Sequence, residues 1–358
     1  MVNTNLHKSR NIKNDEFYTQ YYDIEKEVNA YLEYNPNVFK NKVVLCPCDD
    51  PEWSNFTRYF AQNFEKLKLK KLISTSYAFE SKGVEGKYIV TIFERKNKNF
   101  NKSKVEIKGK NFTLAKDING DNKINIDDLE YKYLDGDGDF RSEEVIKLRD
   151  EADIIVTNPP FSLFREFLVW ITGAKKQFLI IGNKNCITYK EVFQLISDNK
   201  IWLGCNSPSE FLLPNGKTTK QVNGLTRWIT NIEHGRRHQK IPLMSMEDNL
   251  RFNKKMKGKK NYGKYSNYEA IEVPFTNAIP SDYKGEMGVP VTFLDKHNPK
   301  QFEIIGSNLT HGTPMSKIAK KGTYSQGGPS FYMDNDDGTF KRIYTRILIK
   351  HKRIKRKK

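Results

Sequence analysis

Four consecutive residues in the middle of the chain, Asn158, Pro159, Pro160 and Phe161, form a turn that could carry out chemistry. The side-chain oxygen of Asn158 and the carbonyl oxygen of Pro159 can each accept one N–H group of an exocyclic amine. Such an amine is a poor nucleophile because its lone pair is delocalised into the ring. Two acceptors would pull the nitrogen toward tetrahedral geometry and stabilise the positive charge that develops during alkylation. The pattern therefore favours methyl transfer to a planar amine, with Phe161 able to stack on the substrate.

A short apolar run must position this turn. Ile154, Ile155 and Val156 are consecutive β-branched residues, which predicts a central parallel strand covered on both faces. The two prolines cannot continue a strand, and they hold the residues before them in extended conformations. Ligands bind at the carboxyl ends of strands in open α/β sheets, so we expect Asn158 at such an end. An ordinary strand-ending turn would account for the same four letters.

The Asn-Pro-Pro-Phe sequence resembles the catalytic motif of amino methyltransferases that use S-adenosylmethionine, and DNA adenine-N6 enzymes share the aromatic fourth residue. Other segments resemble the adenine-specific methyltransferases of the EcoRI type, and they are spread over most of the chain: residues 14–20, 48–51, 136–142, 162–166 and 288–290. The resemblance implies an α/β fold with a Rossmann-like S-adenosylmethionine-dependent methyltransferase sheet, an insertion and a C-terminal DNA-recognition region. It also implies site-specific methylation at N6 of a flipped adenine in double-stranded DNA, within a restriction-modification system or by an orphan methylase.

The resemblance further implies where the methionine end of the cofactor lies. Phe17, Tyr18 and Thr19 correspond to a stretch that packs along this end. Phe17 would equally suit a hydrophobic staple for the helix that follows it. Asp49 or Asp50 would face the cofactor ammonium, in an acidic turn that replaces the usual glycine-rich loop.

The adenine end of the cofactor is assigned in the same way. Asp139 would accept the adenine amino group and Phe140 would pack on the face of the ring, although Asp135, Asp137 and Asp139 are also spaced as in a calcium loop. No acidic residue ends the second predicted strand, so the residue that binds the cofactor ribose stays unassigned. We expect no metal in the catalytic site.

Residues 117–128 match a second kind of pattern. They carry oxygen-bearing side chains at the first, third, fifth, ninth and twelfth positions of a calcium loop, but Asn122 replaces the usual glycine and Asp128 the usual glutamate. An Asp- and Asn-rich surface turn would explain the same letters without a metal.

Composition limits the class of protein. The 358 residues carry 61 basic and 43 acidic side chains, a formal net charge of +18 that is typical of proteins that bind a polyanion. Lysine enrichment in an AT-rich genome would give the same excess. No run of eighteen apolar residues and no apolar signal core occur, so we expect a cytoplasmic protein with no membrane span. Four cysteines are too few for a disulfide framework.

The order of patterns predicts the organisation of the chain. We expect a mobile basic arm (1–13), a catalytic domain (14–233) with an insertion (82–134), a target-recognition region (234–345) and a basic tail (346–358) that is disordered or helical. In the region from 234, Tyr262 and Tyr265 occur among lysines and suit base stacking. The catalytic domain should hold a mostly parallel sheet, with strands near residues 42–50, 71–77, 153–157, 177–183, 201–204 and 225–232, and helices near 55–67, 143–151, 163–174 and 189–196. Within the insertion, residues 88–95 and 104–107 should form hairpin strands.

Two alternatives remain open from the residues alone. The turn would also serve methylation of another planar amine, such as cytosine N4, an RNA base or a glutamine amide. A calcium-dependent binding protein built around residues 117–139 belongs to a different class. For the methyltransferase we expect a monomer that acts on double-stranded DNA, and whether a cognate restriction endonuclease acts beside it stays open.

Overall fold

The computed structural model describes residues 18–51, 54–78, 100–212, 218–219, 224–326 and 328–352. The predictions for Phe17, for the arm at 1–13 and for a strand at 88–95 lie outside the described residues. The described residues form two compact units, the first comprising those up to Gln194 together with Ile201–His234, and the second comprising Leu195–Lys200 together with those from Gly235 onward. No helix in these ranges is both long and apolar enough to cross a membrane.

The helices and strands alternate through the first unit, in agreement with the predicted α/β class. The helices of the described chain are α1 (Tyr21–Tyr34), α2 (Asn55–Gln62), α3 (Phe64–Leu67), α4 (Lys102–Ile107), α5 (Glu143–Glu151), α6 (Phe164–Gly173), α7 (Lys190–Ser197), α8 (Met246–Phe252) and α9 (Asn308–His311). The strands of the first unit are β1 (Tyr18–Thr19), β2 (Val43–Cys46), β3 (Lys71–Ser76), β4 (Lys110–Leu114), β5 (Glu130–Tyr133), β6 (Ile154–Thr157), β7 (Gln177–Asn183), β8 (Trp202–Leu203), β9 (Phe211–Leu212), β10 (Thr218–Thr219) and β11 (Thr226–Thr230).

Eight of these strands form one large sheet in the order β5-β4-β3-β2-β6-β7-β11-β8. The four central strands β3, β2, β6 and β7 are parallel, and their neighbours on both sides are antiparallel. The prediction of a mostly parallel sheet therefore holds only for the centre. The central strand β6 is fully buried, as its β-branched run predicts.

One prediction in the first unit is wrong. Residues 104–107, expected as a strand, belong to helix α4 (Lys102–Ile107). The side-chain oxygen of Asn101 accepts hydrogen bonds from the amides of Ser103 and Lys104, at 3.1 and 3.3 Å, and so caps the helix. The alternation of Lys, Val, Glu and Ile is too short to distinguish the two structures.

The second unit contains a four-stranded and a two-stranded sheet. Its strands are β12 (Ile271–Glu272), β13 (Met287–Pro290), β14 (Phe302–Ser307), β15 (Tyr332–Asp334), β16 (Phe340–Arg342) and β17 (Arg346–His351), and the larger sheet has the order β12-β13-β17-β14. The prediction of a disordered or helical tail is wrong for Arg346–His351, because β17 lies between β13 and β14. Tyr262 and Tyr265 are each only 6% exposed, so they pack in this unit and do not offer the stacking surface expected of them.

Candidate active site

The Asn158 turn lies at the carboxyl end of the central strand. The hydroxyl of Thr157, the last residue of β6, donates to the carbonyl of Pro47 at 2.6 Å, which joins the ends of β6 and β2. Asn158 is partly exposed, and Phe161 packs one side against the main hydrophobic cluster. Pro160 ends the extended segment, because a 3-10 turn at Phe161–Leu163 and then α6 follow it. The sheet order changes direction at β2 and β6, which is where open α/β sheets bind ligands.

The acidic turn after β2 separates its two carboxylates. Asp49 is 2% exposed, and its carboxylate accepts hydrogen bonds from the Ser54 hydroxyl and from the Thr57 amide and hydroxyl, the last two at 2.9 and 2.5 Å. Burial raises the pKa of Asp49 to about 6, although these hydrogen bonds lower it. Asp49 therefore holds the start of α2, where the Ser54 hydroxyl also caps the helix by accepting from the Phe56 amide at 3.4 Å.

Asp50 points elsewhere. Its carboxylate lies 3.7 Å from the ammonium of Lys110, and both side chains are almost completely buried, at 7% and 5% exposure. Lys110 is the first residue of β4, so the inserted strands supply a cation next to the turn that follows β2. Lys110 is a single lysine after a glycine, and no sequence pattern around it predicts this contact.

The Tyr18–Thr19 strand reaches the same region of the first unit. Thr19 pairs with Phe211, and its carbonyl accepts a hydrogen bond from the Asn55 side chain at 2.8 Å. This contact brings β1 to the first residue of α2. The Thr19 hydroxyl is buried and has no hydrogen-bond partner among the described residues.

Asp139 and Phe140 follow the β5 strand in a turn near the end of β3. The Asp139 carboxylate accepts from the guanidinium of Arg141 at 2.6 and 2.9 Å, and this contact is the main cause that lowers the pKa of Asp139. The Phe140 ring is 1% exposed and lies edge-on to Phe167 and Trp170, at 5.0 and 5.5 Å between centroids. In this structure it packs against α6, and Asp139 is the more accessible of the two.

Tyr77, which sequence reasoning missed, connects these loops. It follows β3, hydrogen-bonds to the side chain of Cys48 and to the backbone of Phe140, and burial raises its pKa. An aromatic residue directly after a predicted strand is the signal that could have identified it.

A close backbone crossing shapes the same edge of the sheet. A Cβ atom on Gly109 would lie 2.7 Å from the carbonyl oxygen of Ser76, and one on Gly138, whose φ is +89°, would lie closer still. Glycine is required at both positions because only its backbone can approach so closely. The hydroxyls of Thr75 and Ser76 and the side-chain oxygen of Asn111 are buried here without a hydrogen-bond partner in the described chain.

The Asp- and Asn-rich loop at 117–128 uses its oxygens on its own backbone. Asp117 accepts from the amides of Gly120 and Asn122 at 2.6 and 2.8 Å, and Asp128 accepts from those of Ile118, Asn119 and Asn125 at 2.9 to 3.2 Å. Within the described ranges, no three His, Cys, Asp or Glu side chains are grouped as metal ligands. The loop has the hydrogen bonding of an Asx-rich surface turn.

Nearly the whole chain is similar to known proteins. Residues 5–352 match the sequence profile of a family described as "Adenine-specific methyltransferase EcoRI". The chain is 41% identical to Type II methyltransferase M.EcoRI of Escherichia coli over 372 aligned residues, which cover 99% of this chain and 98% of the relative. It is 32% identical to Type II methyltransferase M.MpnI of Mycoplasma pneumoniae over 364 residues, covering 97% and 98% of the two chains. No solved structure matches the chain.

Proposed function

The chain belongs to the EcoRI family of adenine-specific methyltransferases, and from this membership we propose how its residues methylate N6 of an adenine extruded from double-stranded DNA. The family and the enzyme class predicted from the sequence are confirmed. The chain is a site-specific, adenine-specific DNA methyltransferase, related to type II enzymes. Specificity for adenine in DNA removes the cytosine N4, RNA-base and glutamine alternatives from consideration.

Asn158 and Pro159 carry the reaction in this proposal. The amide oxygen of Asn158 and the carbonyl of Pro159 accept the two N6 hydrogens, so that the nitrogen lone pair turns out of the ring plane. The same two oxygens stabilise the positive charge that builds up on N6, an interaction that strengthens in the transition state. A single observation supports the assignment: Asn158 follows β6 at the point where Thr157 bonds to the loop after β2.

The target base must leave the duplex to reach this turn. In paired DNA, N6 is engaged in the base pair, so the adenine has to be flipped out, which costs a few kcal/mol of stacking and pairing energy. Stacking on Phe161 offsets part of this cost, because the ring is only partly covered by the hydrophobic cluster. Pro160 fixes the backbone between the acceptors and this ring.

We assign S-adenosylmethionine to the edge of the sheet beside β2 and β3. When bound it supplies the methyl group on a sulfonium that is already a good leaving group. The buried oxygens of Thr75 and Asn111, which are paired across β3 and β4 and have no hydrogen-bond partner among the described residues, suit a ligand that carries hydroxyl and amino groups. Of the two carboxylates we assign Asp50 to the cofactor ammonium, because Asp49 accepts three hydrogen bonds from Ser54 and Thr57, whereas Asp50 makes a looser contact of 3.7 Å with Lys110. Tyr18, Thr19, Asp139 and Phe140 complete the proposed lining.

The finer organisation follows from the same membership. We assign the eight-stranded sheet to a Rossmann-like methyltransferase core, residues 14–233, and the region from 234 to target recognition. The enzyme acts as a monomer in the cytoplasm, and a cognate restriction endonuclease, where one is present, acts separately.

The test is replacement of Asn158 by Ala. Asn158→Ala should reduce methyl transfer by at least about 100-fold, the loss typical for one transition-state hydrogen-bonding group, while S-adenosylmethionine affinity changes little. N6-methyladenine in digested DNA is measured by mass spectrometry, and cofactor binding by calorimetry. Asn119→Ala, in an exposed loop, is the matched control and should retain full activity.

Two results would oppose the assignment. Normal methylation by Asn158→Ala would remove Asn158 from the chemistry. A variant that loses cofactor binding and methylation in equal measure would show that Asn158 supports the cofactor site instead.

A further inference from the structure

The second unit contains a cleft whose charge is predominantly positive. The cleft has a volume of about 360 Å³ and is lined by four basic residues, Lys259, Lys341, Arg342 and Arg346, against two acidic ones, Glu272 and Asp334. We call it the basic cleft. Its volume lies within the range of roughly 300–1,000 Å³ that ligand pockets occupy.

Arg346 differs from the other basic residues of the basic cleft because a carboxylate holds its side chain. Lys259, Lys341 and Arg342 are exposed, whereas the Arg346 side chain is 13% exposed and that of Glu272 is 9% exposed. The Arg346 Nε donates to both Glu272 oxygens at 3.0 and 3.1 Å, and Nη2 donates at 2.6 Å. The guanidinium plane is thereby fixed by a side-on pair.

Other contacts hold the Arg346–Glu272 pair in place. The hydroxyl of Tyr265 donates to Glu272, and the Tyr265 ring is stacked on Phe331 at 4.3 Å between centroids. The Arg346 amide donates to the buried side-chain oxygen of Asn308 at 3.0 Å. Both the backbone and the side chain of Arg346 are therefore positioned before any ligand binds.

The hydrogen-bond geometry leaves one edge of Arg346 available. A guanidinium has five N–H donors, of which Glu272 takes one on Nε and one on Nη2. A third, on Nη1, is directed to the carbonyl of Thr345 at 3.4 Å. The Tyr265 hydroxyl, bonded to the same Glu272 oxygen that Nε reaches, also hydrogen-bonds to the guanidinium on this side. The end-on edge, with one hydrogen on each terminal nitrogen, faces away from Glu272. Two parallel donors on a fixed plane match a pair of adjacent acceptors.

We propose that Arg346, held by Glu272, reads a guanine in the DNA recognition sequence by donating both end-on hydrogens to its O6 and N7 atoms. This inference rests on the proposed function, since a site-specific methyltransferase must discriminate bases around its target. Guanine presents these two acceptors side by side in the major groove, and a bidentate arginine is the commonest contact to it.

A phosphate would also accept two hydrogen bonds, but the structure favours a base for Arg346. Phosphate contacts need charge more than orientation, and the exposed Lys259, Lys341 and Arg342 provide it at the same basic cleft. A buried carboxylate that fixes the guanidinium plane would reduce net attraction to a phosphate. The same carboxylate improves alignment to a base edge.

The test begins with the wild-type enzyme and modified DNA. The recognition sequence is first determined by modification-detecting sequencing, and each guanine is then replaced in turn by 7-deazaguanine, which lacks the N7 acceptor. Equilibrium binding and kcat/KM should both fall about 10-fold or more at one guanine. No guanine with such an effect would overturn the proposal, whatever the stability of any variant.

Variants then connect that guanine to Arg346. Arg346→Gln should remove the 7-deazaguanine effect at that position and relax the recognised sequence there by about 10- to 100-fold. Because Arg346→Gln leaves Glu272 buried without its partner, the double variant E272Q/R346Q is made as well and should show the same relaxed sequence. Glu272→Gln alone should weaken discrimination while leaving the arginine in place.

The control is Arg342→Gln on the exposed part of the basic cleft. It should weaken binding to all duplexes alike and leave the recognised sequence unchanged. The same behaviour in Arg346→Gln, with a shallower salt dependence, would identify a phosphate contact and overturn the proposal. If the wild type methylates no DNA, the proposed function fails. The recognised duplex is then selected by binding from a random pool, and the 7-deazaguanine binding measurements on it decide the role of Arg346.

Discussion

Asp49 is a buried carboxyl group whose ionisation opposes folding. Its pKa of about 6 in the folded protein exceeds the ordinary value of 3.8, so the native state binds this proton more tightly than the unfolded chain does. The free energy of unfolding that Asp49 contributes therefore falls as the pH rises from about 4 to about 6, and above that range the loss is complete. Two pKa units correspond to about 3 kcal/mol.

Replacement of Asp49 by Asn should remove this pH dependence. Relative to the wild type, Asp49→Asn should become more stable by about 3 kcal/mol between pH 4 and pH 7, because it cannot ionise. At pH 4 the two proteins should be about equally stable, since the protonated Asp49 carboxyl and an amide each keep one carbonyl oxygen that accepts hydrogen bonds from Ser54 and Thr57. Urea unfolding across this pH range measures both effects.

Asp127→Asn, at an exposed position, should follow the wild-type pH profile. If the unfolding free energies of the wild type and Asp49→Asn change in parallel with pH, Asp49 does not titrate in this range. Burial would then not raise its pKa as we infer.

Residue types predicted some local roles well and others poorly. Ser142 directly precedes the helix predicted at 143–151, and its hydroxyl accepts from the Val145 amide at the start of that helix. Capping depends on residues three apart, so sequence alone suffices. The partners of Phe140 lie on α6, a distant element that no local pattern identifies. The partners of Asp49 are near in sequence, but the sequence does not show which of two adjacent carboxylates turns toward α2.

The turn at Gly138 crosses the end of β3 at close range. Substitutions at two glycines, one inside this crossing and one outside it, test whether the crossing matters. Gly138 and Gly120 have similar φ values, +89° and +82°, but a Cβ on Gly138 meets Ser76 whereas one on Gly120 meets nothing within 4 Å. Substitution by Ala at either position brings about 1–2 kcal/mol of backbone strain. The additional effect at Gly138 then reports the crossing itself.

We expect Gly120→Ala to lower stability by about 1–2 kcal/mol and leave S-adenosylmethionine affinity intact. Gly138→Ala should lower stability further and weaken cofactor binding, because the β3 end must move to accommodate the methyl group. Urea unfolding and calorimetric titration separate the two quantities. Equal behaviour of the two variants would mean that the crossing does not shape the cofactor site.

Element predictions failed where a short pattern competed with tertiary contacts. The charge of residues 346–358 predicted a disordered or helical tail. Between its basic residues, however, Ile347, Leu348 and Ile349 are at most 1% exposed and form the middle of β17. A count of charges over the whole segment hides a run of only three apolar residues. The longer apolar stretch at Gln177–Asn183 was predicted as a strand with its observed limits. Length and apolar continuity, more than composition, made a strand predictable.

At the scale of the whole molecule, sequence order predicted the α/β class but not the mixed sheet. The central strands alternate with helices and pair in parallel, as expected. The outer strands pair through connections that the sequence does not specify. The Arg346–Glu272 contact joins residues 74 positions apart, and the sequence does not specify it either. Sites built from distant strands therefore became visible only in the fold.

The net charge of +18 yields a prediction that separates function from genome composition. If the basic excess serves DNA binding, the logarithm of the association constant should fall linearly with the logarithm of salt concentration, by about 0.9 per phosphate contacted. An enzyme that contacts six to ten phosphates would lose about 10³ to 10⁵ in affinity between 50 and 200 mM salt. Fluorescence anisotropy with duplexes that contain or lack the recognition sequence gives both slopes.

The two duplexes should give steep and similar slopes, because phosphate contacts do not depend on sequence, while their absolute affinities differ. S-adenosylmethionine binding, measured over the same range, is the control and should change far less. A shallow slope for both duplexes would mean that the 61 basic residues are mostly compositional. Recognition would then depend on a few oriented groups and not on the overall field of the protein.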